Sequence, residues 1–261
     1  MKIAIVMPAH NEEKRIEKTL EEYGKFFKKK KKEKEINNFE IIVVINNTQD
    51  RTEEIAKKMS KKYREIRCLN FKQKGKGFAI IEGFKDALKR DFDLIGFVDA
   101  DMATTPEGYY ALAENIEGYG GIIASRWVRG SVIKTKQSFL RRVLSRGFNL
   151  IVRFMFLMPY EDTQCGAKIF RRKVIERVVG ELYLTQWAFD INLLYLCKKK
   201  EFKIREYPTT WQDRTDSKLD VMKIPIQMFT GVLRLRLINS IFEPLLKQLR
   251  VIVHLAHRIL K

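Results

Sequence analysis

Two carboxylates separated by one residue follow a hydrophobic run at residues 94–98, and they are the clearest candidates for chemistry in the sequence. Carboxylate oxygens are ligands that Mg²⁺ and Mn²⁺ prefer, and such an ion can bridge the oxygens of a diphosphate and offset the charge of a departing nucleotide. Two Asp residues at the end of a strand are also typical of an ordinary turn, so the spacing alone leaves both interpretations open. Asp99 and Asp101 are therefore candidate metal ligands.

The surrounding segments predict the elements that position these carboxylates. Short runs rich in β-branched residues alternate with amphipathic segments, which is typical of a parallel sheet with crossover helices. The predicted strands are 2–7, 40–45, 66–70, 94–99 and 121–125, and the predicted helices are 12–28, 51–63, 77–89 and 106–116. Ligands bind beyond the carboxyl ends of the strands in such sheets. We therefore expect the polar segments 8–12, 46–50 and 99–101 to converge at one edge of an α/β nucleotide-binding fold.

The composition limits the fold and the partners. With 261 residues and 45% hydrophobic content, the chain can bury one substantial core, so we expect one catalytic domain with an appendage. The 51 Lys and Arg residues exceed the 32 Asp and Glu residues, and the resulting charge of +19 favours nucleic acid, nucleotide phosphates or an anionic lipid surface as partner. The basic residues form no recognisable motif for reading nucleic acid, so we do not expect a nucleic-acid partner.

Cysteine usage and hydropathy predict a location. The three cysteines match neither a disulfide framework nor a metal site, which indicates a reducing compartment. The apolar run at residues 3–7 is too short for a signal peptide. Arg153 interrupts one long apolar segment, and Arg234 and Arg236 interrupt the other, so neither has the roughly 18 apolar residues that span a bilayer.

Two segments, 148–160 and 221–261, combine large apolar residues with Arg and Lys. Helices that pack in the core would explain the apolar residues, but the interleaved cations favour helices that lie in the headgroup region of a membrane. Near an anionic leaflet each basic residue contributes about 1 kcal/mol before salt screening. We therefore expect a peripheral protein on the cytoplasmic face of a membrane, held to an anionic surface without a transmembrane helix.

Eight ordered segments resemble one known family. They are 8–13, 46–52, 74–77, 99–101, 124–127, 162–168, 187–195 and 217–219. Together they resemble the family 2 GT-A glycosyltransferases, and they are most similar to the enzymes that make dolichyl-phosphate glucose and dolichyl-phosphate mannose. The resemblance covers residues 1–220 and implies a Rossmann-like, mostly parallel sheet flanked by helices, while the pattern of apolar and basic residues predicts amphipathic helices in 221–261. It also implies an inverting, Mg²⁺- or Mn²⁺-dependent transfer of a hexose from a nucleotide sugar to a polyprenyl or dolichyl phosphate.

The resemblance implies roles for residues on the donor side. Asp99 and Asp101 would hold the metal, and Asp101 would be catalytic. Asn46 and Asn47 stand where the family has paired aspartates; an amide oxygen still accepts a hydrogen bond but brings no charge. Lys76 opens the third helix, where it would form an anion site or, alternatively, a solvated basic turn. The implied nucleotide-binding residues are Pro8, Ala9, Asn11, Glu12, Asn46, Asp50, Lys76 and Asp99.

The resemblance also implies roles on the acceptor side, where guanidinium groups suit a phosphate because they bind it at two points. The implied acceptor-phosphate residues are Arg126, Arg141, Ser145, Ser217 and Lys218. The implied sugar-pocket residues are Asp162, Gln164 and Cys165. Asp190 would lie near the acceptor, where it would orient more than deprotonate, because a lipid phosphate is already ionised. Asp190 and Arg126 complete the predicted catalytic set with Asp101.

The donor is predicted from the residues after the carboxylates. Mannose-type relatives often carry Gln two residues beyond the second Asp, whereas this chain has Ala103 and then Thr104, which is closer to the glucosyl type. UDP-glucose is therefore the favoured donor. The alternatives are a GDP-mannose-dependent dolichyl-phosphate mannose synthase and, because Asn46 and Asn47 replace paired aspartates, a nucleotide-sugar-binding protein without catalysis.

Overall fold

A computed structural model of the chain describes residues 1–134, 139–183, 186, 188–212 and 223–239. Its strands are β1 (Lys2–Ala9), β2 (Asn38–Asn46), β3 (Ile66–Phe71), β4 (Leu94–Val98), β5 (Gly121–Ser125), β6 (Val132–Ile133), β7 (Ala167–Arg171), β8 (Ile204–Pro208) and β9 (Thr210–Trp211). Its helices are α1 (Ile16–Lys32), α2 (Thr52–Lys62), α3 (Lys76–Leu88), α4 (Pro106–Glu114), α5 (Phe139–Phe156), α6 (Arg172–Val178), α7 (Phe189–Lys199) and α8 (Lys223–Ile238). A 3-10 turn spans Val179–Glu181.

The main sheet has the strand order β3-β2-β1-β4-β7-β5-β8. Strands β1 to β4 pair in parallel, whereas β7 runs antiparallel to both β4 and β5. β8 is parallel to β5, and β6 pairs with β9 in a separate small sheet. The carboxyl ends of β1, β2, β4 and β5 therefore share one edge with the amino end of β7. The predicted α/β fold with a mostly parallel sheet is confirmed.

Helices cover both faces of this sheet, because successive residues of a strand point to opposite faces. Ile3, Ile5 and Met7 of β1 belong to a buried cluster that includes residues of α1, α2 and α4. Ala4 and Val6 belong to a second cluster with residues of α3, α5, α6, α7 and α8. Strands that are buried on both faces are apolar at nearly every position, which explains the continuous apolar runs in the sequence.

The segment predicted as an interfacial helix at 148–160 corresponds to the second half of α5. The helix ends at Phe156, and the next residue, Leu157, has a φ of 50°, which the helix cannot continue. Val152 and Phe156 are buried, whereas the side chains of Phe154 and Leu157 are 82% and 75% exposed. One face of α5 therefore packs in the core, and another face leaves large apolar groups at the surface.

In the segment predicted to lie on a membrane at 221–261, the structure describes α8, while residues 240–261 lie outside the described residues. Val232 and Leu235 of α8 are buried in the core, and Phe229, Leu233 and Leu237 are exposed. Within the ranges described, no helix has both the length and the apolar character to cross a bilayer.

Candidate active site

Asp99 and Asp101 follow β4 at the centre of the sheet edge. The backbone N–H of Asp99 donates to the carbonyl of Gly166 at 2.9 Å, so the loop before β7 lies directly against it. A Cβ atom added to Gly166 would stand 2.0 Å from Asp99 Oδ2. Asp101 Oδ1 accepts a hydrogen bond from the backbone N–H of Ala103 at 2.9 Å. The surrounding backbone therefore fixes the place of both carboxylates.

Lys76 brings a cation to these carboxylates. Its Nζ atom lies 2.5 Å from Asp99 Oδ1. Gly75, with a φ of 126°, makes the turn that places Lys76 and the N-terminus of α3 at the sheet edge. Burial alone would lower the pKa of Lys76, but the carboxylates of Asp99, Asp190 and Asp101 outweigh burial and raise this pKa above its ordinary value. Lys76 therefore stays charged at neutral pH, and its role toward a diphosphate stays a prediction.

The pair Asp99 and Asp101 can be tested against the needs of a divalent cation. In the part of the chain that the structure describes, no group of three or more His, Cys, Asp and Glu side chains could hold a metal ion by itself. Mg²⁺ is usually held by one or two carboxylates together with substrate phosphates and water. The two carboxylates therefore fit a hard cation that takes its remaining ligands from a bound diphosphate.

The loops after β1 and β2 are joined at the same edge. Asn11 Oδ1 accepts a hydrogen bond from the backbone N–H of Gln49 at 2.8 Å, and the N–H of Asn11 donates to Thr48 Oγ1 at 3.1 Å. Asp50 Oδ2 accepts from the N–H of Glu13 at 3.1 Å. Asn11 has a φ of 55°, a left-handed conformation that Asn adopts more readily than most residues. The structure thus brings the predicted nucleotide residues Asn11 and Asp50 together.

Pro8 and Ala9 end β1, and Asn46 ends β2 beside them. The side chain of Asn46 is buried. In the amide orientation that satisfies its neighbours, Nδ2 donates to the carbonyl of Ala9 at 3.1 Å and Oδ1 accepts from the N–H of Gly75 at 3.2 Å. An aspartate here could not donate to Ala9, because it has no N–H group. Asn46 therefore ties the first loop to the turn before α3, and its contact with the base stays a prediction.

Glu12 is engaged within the protein. Arg15 binds it at two points, with Nε–Oε2 and Nη2–Oε1 distances of 2.7 and 2.9 Å. Burial raises the pKa of the Glu12 carboxyl, and the guanidinium of Arg15 opposes that rise. Its backbone N–H donates to Thr52 Oγ1 at 2.7 Å, so Glu12 links the first loop to the start of α2.

Arg126 and Asp162 form a two-point ion pair on the other side of the carboxylates. Arg126 Nε lies 2.7 Å from Asp162 Oδ2, and Nη2 lies 2.9 Å from Oδ1. Burial alone would raise the pKa of Asp162, but the Arg126 guanidinium holds this pKa below its ordinary value. The guanidinium also lies 5.8 and 5.3 Å from the ring centroids of Trp127 and Trp211. The predicted catalytic arginine and the predicted sugar-pocket aspartate are therefore direct partners.

An open cleft of about 950 Å³ lies between the segment 126–131 and α5. The guanidinium of Arg146 stands 4.8 Å from the ring centroid of Trp127 at its wall. The charged lining residues are Arg126, Arg129, Arg142, Arg146, Arg153 and Glu161, and the apolar ones include Trp127, Val143 and Leu150. Arginines outnumber the single carboxylate, so the cleft suits an anionic ligand that also has an apolar part.

The family model for glycosyl transferase family 2 matches residues 4–179. The chain belongs to this family. A dolichyl-phosphate beta-glucosyltransferase from Dictyostelium discoideum is 32% identical over 90% of this chain and 73% of its own length. The human protein of the same name is 29% identical over 89% of this chain and 78% of its own. The predicted family and the predicted class of enzyme, a hexosyltransferase, are confirmed by these similarities.

Solved structures of more distant proteins share the fold of this family 2 enzyme. Glucosyl-3-phosphoglycerate synthase from Mycobacterium tuberculosis, in complex with uridine-diphosphate, superposes with a TM-score of 0.66 over 92% of this chain and 82% of its own. The same synthase with Mn²⁺, uridine-diphosphate-glucose and phosphoglyceric acid gives a TM-score of 0.62 over 92% and 81%. Both are 16% identical to this chain, so the likeness establishes the fold.

The remaining predicted site residues of the family 2 enzyme lie in different elements of the fold. Asp190 is buried in the first turn of α7, where its Oδ1 lies 2.5 Å from Lys168 Nζ. Gln164 is half-buried and Cys165 is buried, both in the loop before β7. Ser145 lies half-buried on α5. The side chain of Arg141 and the whole of Ser217 and Lys218 lie outside the described residues, so their roles stay predictions.

The sequence analysis gave no role to several residues at the site, although two of them, Gly166 and Lys168, lie in the segment 162–168. The cleft arginines Arg142, Arg146 and Arg153 recur at intervals of four and seven residues on one helical face, a signal that the sequence does contain. Lys168 stands in a short apolar strand, and no local pattern distinguishes it from a surface lysine. Gly166 matters only because Asp99 of another strand approaches it.

The three cysteines of the chain should differ in their reactivity toward a thiol reagent. Burial raises the pKa of Cys165 to about 12 and that of Cys197 to about 12, so neither forms a thiolate near neutral pH. Cys68 is half-buried, and burial raises its pKa as well. We expect a thiol reagent to label native protein slowly and at Cys68 alone, and unfolded protein at all three, as measured by peptide mass spectrometry. Rapid labelling of native Cys165 would contradict its burial.

Proposed function

We propose that this enzyme transfers a hexose, with UDP-glucose as the favoured donor, to a polyprenyl or dolichyl phosphate with inversion at the anomeric carbon. One observation carries the proposal: the arginine-lined cleft adjoins the carboxylate edge. The loop that contains both Asp162 and Gly166 joins them, because Asp162 binds the cleft residue Arg126 and Gly166 lies against Asp99. The names of the curated relatives support the same acceptor class.

On the donor side, the joined loops after β1 and β2 would hold the nucleotide, and Lys76 would face its diphosphate. We propose that Asp99 and Asp101 hold Mg²⁺ or Mn²⁺, which when bound would offset negative charge on the diphosphate. Fold neighbours that were crystallised with uridine-diphosphate and Mn²⁺ or Mg²⁺ support a cation of this kind. GDP-mannose is the alternative donor.

On the acceptor side, a phosphate oxygen attacks the anomeric carbon while the bond from that carbon to the diphosphate breaks. The nucleotide diphosphate leaves from the opposite face with the bonding electrons. The attacking oxygen is already anionic near neutral pH, so no side chain has to remove a proton from it. Asp190 would therefore orient a bound group, either the acceptor or the sugar being transferred to it, rather than deprotonate the acceptor. The proposed phosphate-binding residues remain Arg126, Arg141, Ser145, Ser217 and Lys218, and the cleft adds Arg142 and Arg146.

A lipid acceptor has to be drawn from a bilayer, and the surface beside the cleft suits that task. Leu150, Phe154 and Leu157 of α5 and its end are 65%, 82% and 75% exposed, and Arg153 stands among them. Apolar groups interleaved with cations favour the interface of an anionic membrane. We infer a catalytic domain at 1–220 and membrane-surface helices at 221–261, on the cytoplasmic face of a membrane.

Replacing an exposed apolar residue of α5 should weaken membrane binding. Phe154→Asp should reduce partition into phosphatidylserine-containing vesicles roughly 10- to 100-fold, because burying a large apolar side chain contributes about 1.5–3 kcal/mol. Flotation with vesicles at low salt measures the partition. Lys61→Asp is the control, because Lys61 is exposed on α2 at the other face of the sheet and its loss changes the net charge more. An equal loss in both variants would contradict a docking role for α5.

The function is tested by incubating the protein with Mg²⁺ or Mn²⁺, a polyprenyl phosphate and radiolabelled UDP- or GDP-sugars. Label from UDP-glucose that is extracted into organic solvent supports the proposal, and label from GDP-mannose alone would replace it with the mannose alternative. A parallel reaction contains phosphoglyceric acid, the compound bound by a fold neighbour. Transfer only to that acid would overturn the lipid acceptor, and nucleotide binding without any product would favour the non-catalytic alternative.

A further inference from the structure

Lys168 and Asp190 form a buried ion pair behind the donor side of the site. The Lys168 side chain is 0% exposed and the Asp190 side chain 9%. Lys168 Nζ donates to Asp190 Oδ1 at 2.5 Å and to the carbonyl of Cys165 at 2.7 Å, and it lies 5.3 Å from the ring centroid of Phe97. A fully buried ammonium is costly without such partners. Replacing a buried ion pair by apolar side chains is often neutral or stabilising, so stability alone is a weak reason for this pair.

Asp190 has one oxygen engaged and one oxygen available. In the described part of the chain, its Oδ1 binds Lys168 and its Oδ2 accepts no hydrogen bond. Asp190 lies in the first turn of α7, where the helix N-terminus favours a carboxylate. Lys76 Nζ and Lys168 Nζ lie 5.9 and 5.3 Å from the centroid of the same Phe97 ring, and Lys76 is paired with Asp99. In keeping with this arrangement, the carboxylate of Asp190 raises the pKa of Lys76. Charges of alternating sign thus lead from Lys168 through Asp190 and Lys76 to Asp99, which places Asp190 beside the donor.

We propose that Lys168 is a positioning residue that directs the Oδ2 atom of Asp190 toward the transferred hexose, where Oδ2 accepts a hydrogen bond from one sugar hydroxyl. The inference rests on the proposed function and adds a residue that selects the donor sugar. Lys168 binds Oδ1, and its second bond to the carbonyl of Cys165 holds the ammonium in place, so the pair favours one orientation of the carboxylate. The sugar keeps its proton, because the transfer requires no base.

The test compares donors rather than rates alone. Lys168→Met should lower kcat with UDP-glucose about 10- to 100-fold, the range for a hydrogen bond to a charged group, while UDP affinity by calorimetry stays unchanged. In a series of monodeoxy UDP-glucose analogues, one analogue should lower the kcat of the wild-type protein by a similar factor. The kcat of Lys168→Met with that analogue should be nearly the same as its kcat with UDP-glucose. Equal losses on every donor would indicate a merely structural lysine and overturn the inference.

Two further variants keep the test decisive. Lys168→Met with Asp190→Asn leaves no unpaired buried charge, so it should fold, and its kcat should equal that of Asp190→Asn alone. Independent, additive losses would overturn the proposal that Lys168 acts through Asp190. Lys200→Met is the matched control, because Lys200 pairs with Glu181 at 2.6 Å on the surface, and it should keep the wild-type rate. If wild-type protein transfers no hexose, the proposed function itself fails; if it does transfer and losses are uniform, only the role of Lys168 fails.

Discussion

Replacing Asp101 with asparagine should lower turnover roughly 1000-fold while the fold stays intact, because the amide cannot supply the charge that a divalent cation needs. Asp101 Oδ1 accepts a hydrogen bond from the backbone N–H of Ala103, and the amide oxygen of asparagine can accept the same bond. The turn after β4 is therefore preserved. The loss should fall on kcat, since the charge on the diphosphate is greatest as the nucleotide leaves.

The measurement is the rate of hexose transfer as a function of Mn²⁺ concentration, with circular dichroism as the check on folding. Asp91→Asn provides the matched control. Asp91 is an exposed carboxylate that pairs with Lys2 at 2.6 Å, and it precedes β4, whereas Asp101 follows this strand. We expect Asp91→Asn to behave as wild type. Wild-type turnover in Asp101→Asn would show that Asp101 does not hold the cation, and the assignment would move to Asp99 alone.

The first half of the fold could be predicted from the sequence because its strands are buried on both faces. Such strands are continuous apolar runs, and the predicted strand 121–125 coincides with β5. Helix boundaries that depend on contacts with other segments were harder to predict. The first helix was predicted from residue 12, but it begins at Ile16, because residues 12–15 form a turn in which the N–H groups of Glu12 and Glu13 donate to Thr52 and Asp50.

The second half of the fold was harder to predict because it depends on contacts between residues that are distant in sequence. β7 enters the sheet antiparallel between β4 and β5, and a five-residue strand that carries a buried Lys168 has no distinctive pattern. The pairing of Arg126 with Asp162 joins residues that are 36 positions apart, so neither residue indicates the other. The resemblance indicated Arg141, whose side chain lies outside the described residues, and it gave no role to Arg142, Arg146 and Arg153, which line the cleft.

Substituting alanine for Gly166 should reduce activity far more than stability. The added Cβ atom would stand 2.0 Å from Asp99 Oδ2 and 2.5 Å from its Cγ, so one group has to move. The side chain of Asp99 is 33% exposed and can swing toward solvent, which limits the loss of stability to about 1–3 kcal/mol. The displaced carboxylate would lose its 2.5 Å contact with Lys76 and its alignment with Asp101. A shift of this size should lower kcat roughly 100-fold.

Thermal unfolding and transfer rates should be measured together for this variant. Gly180→Ala is the control for the loss of a glycine, because a Cβ at Gly180 meets no atom within 4 Å. In an Asp99→Ala background the clash is absent, so Gly166→Ala should cost no further activity there. Full activity of Gly166→Ala in the native background would mean that Asp99 leaves residue 166 when the donor binds. The loop from Asp162 to Gly166 would then have to open during the reaction, and the two walls of the site would not be rigidly joined.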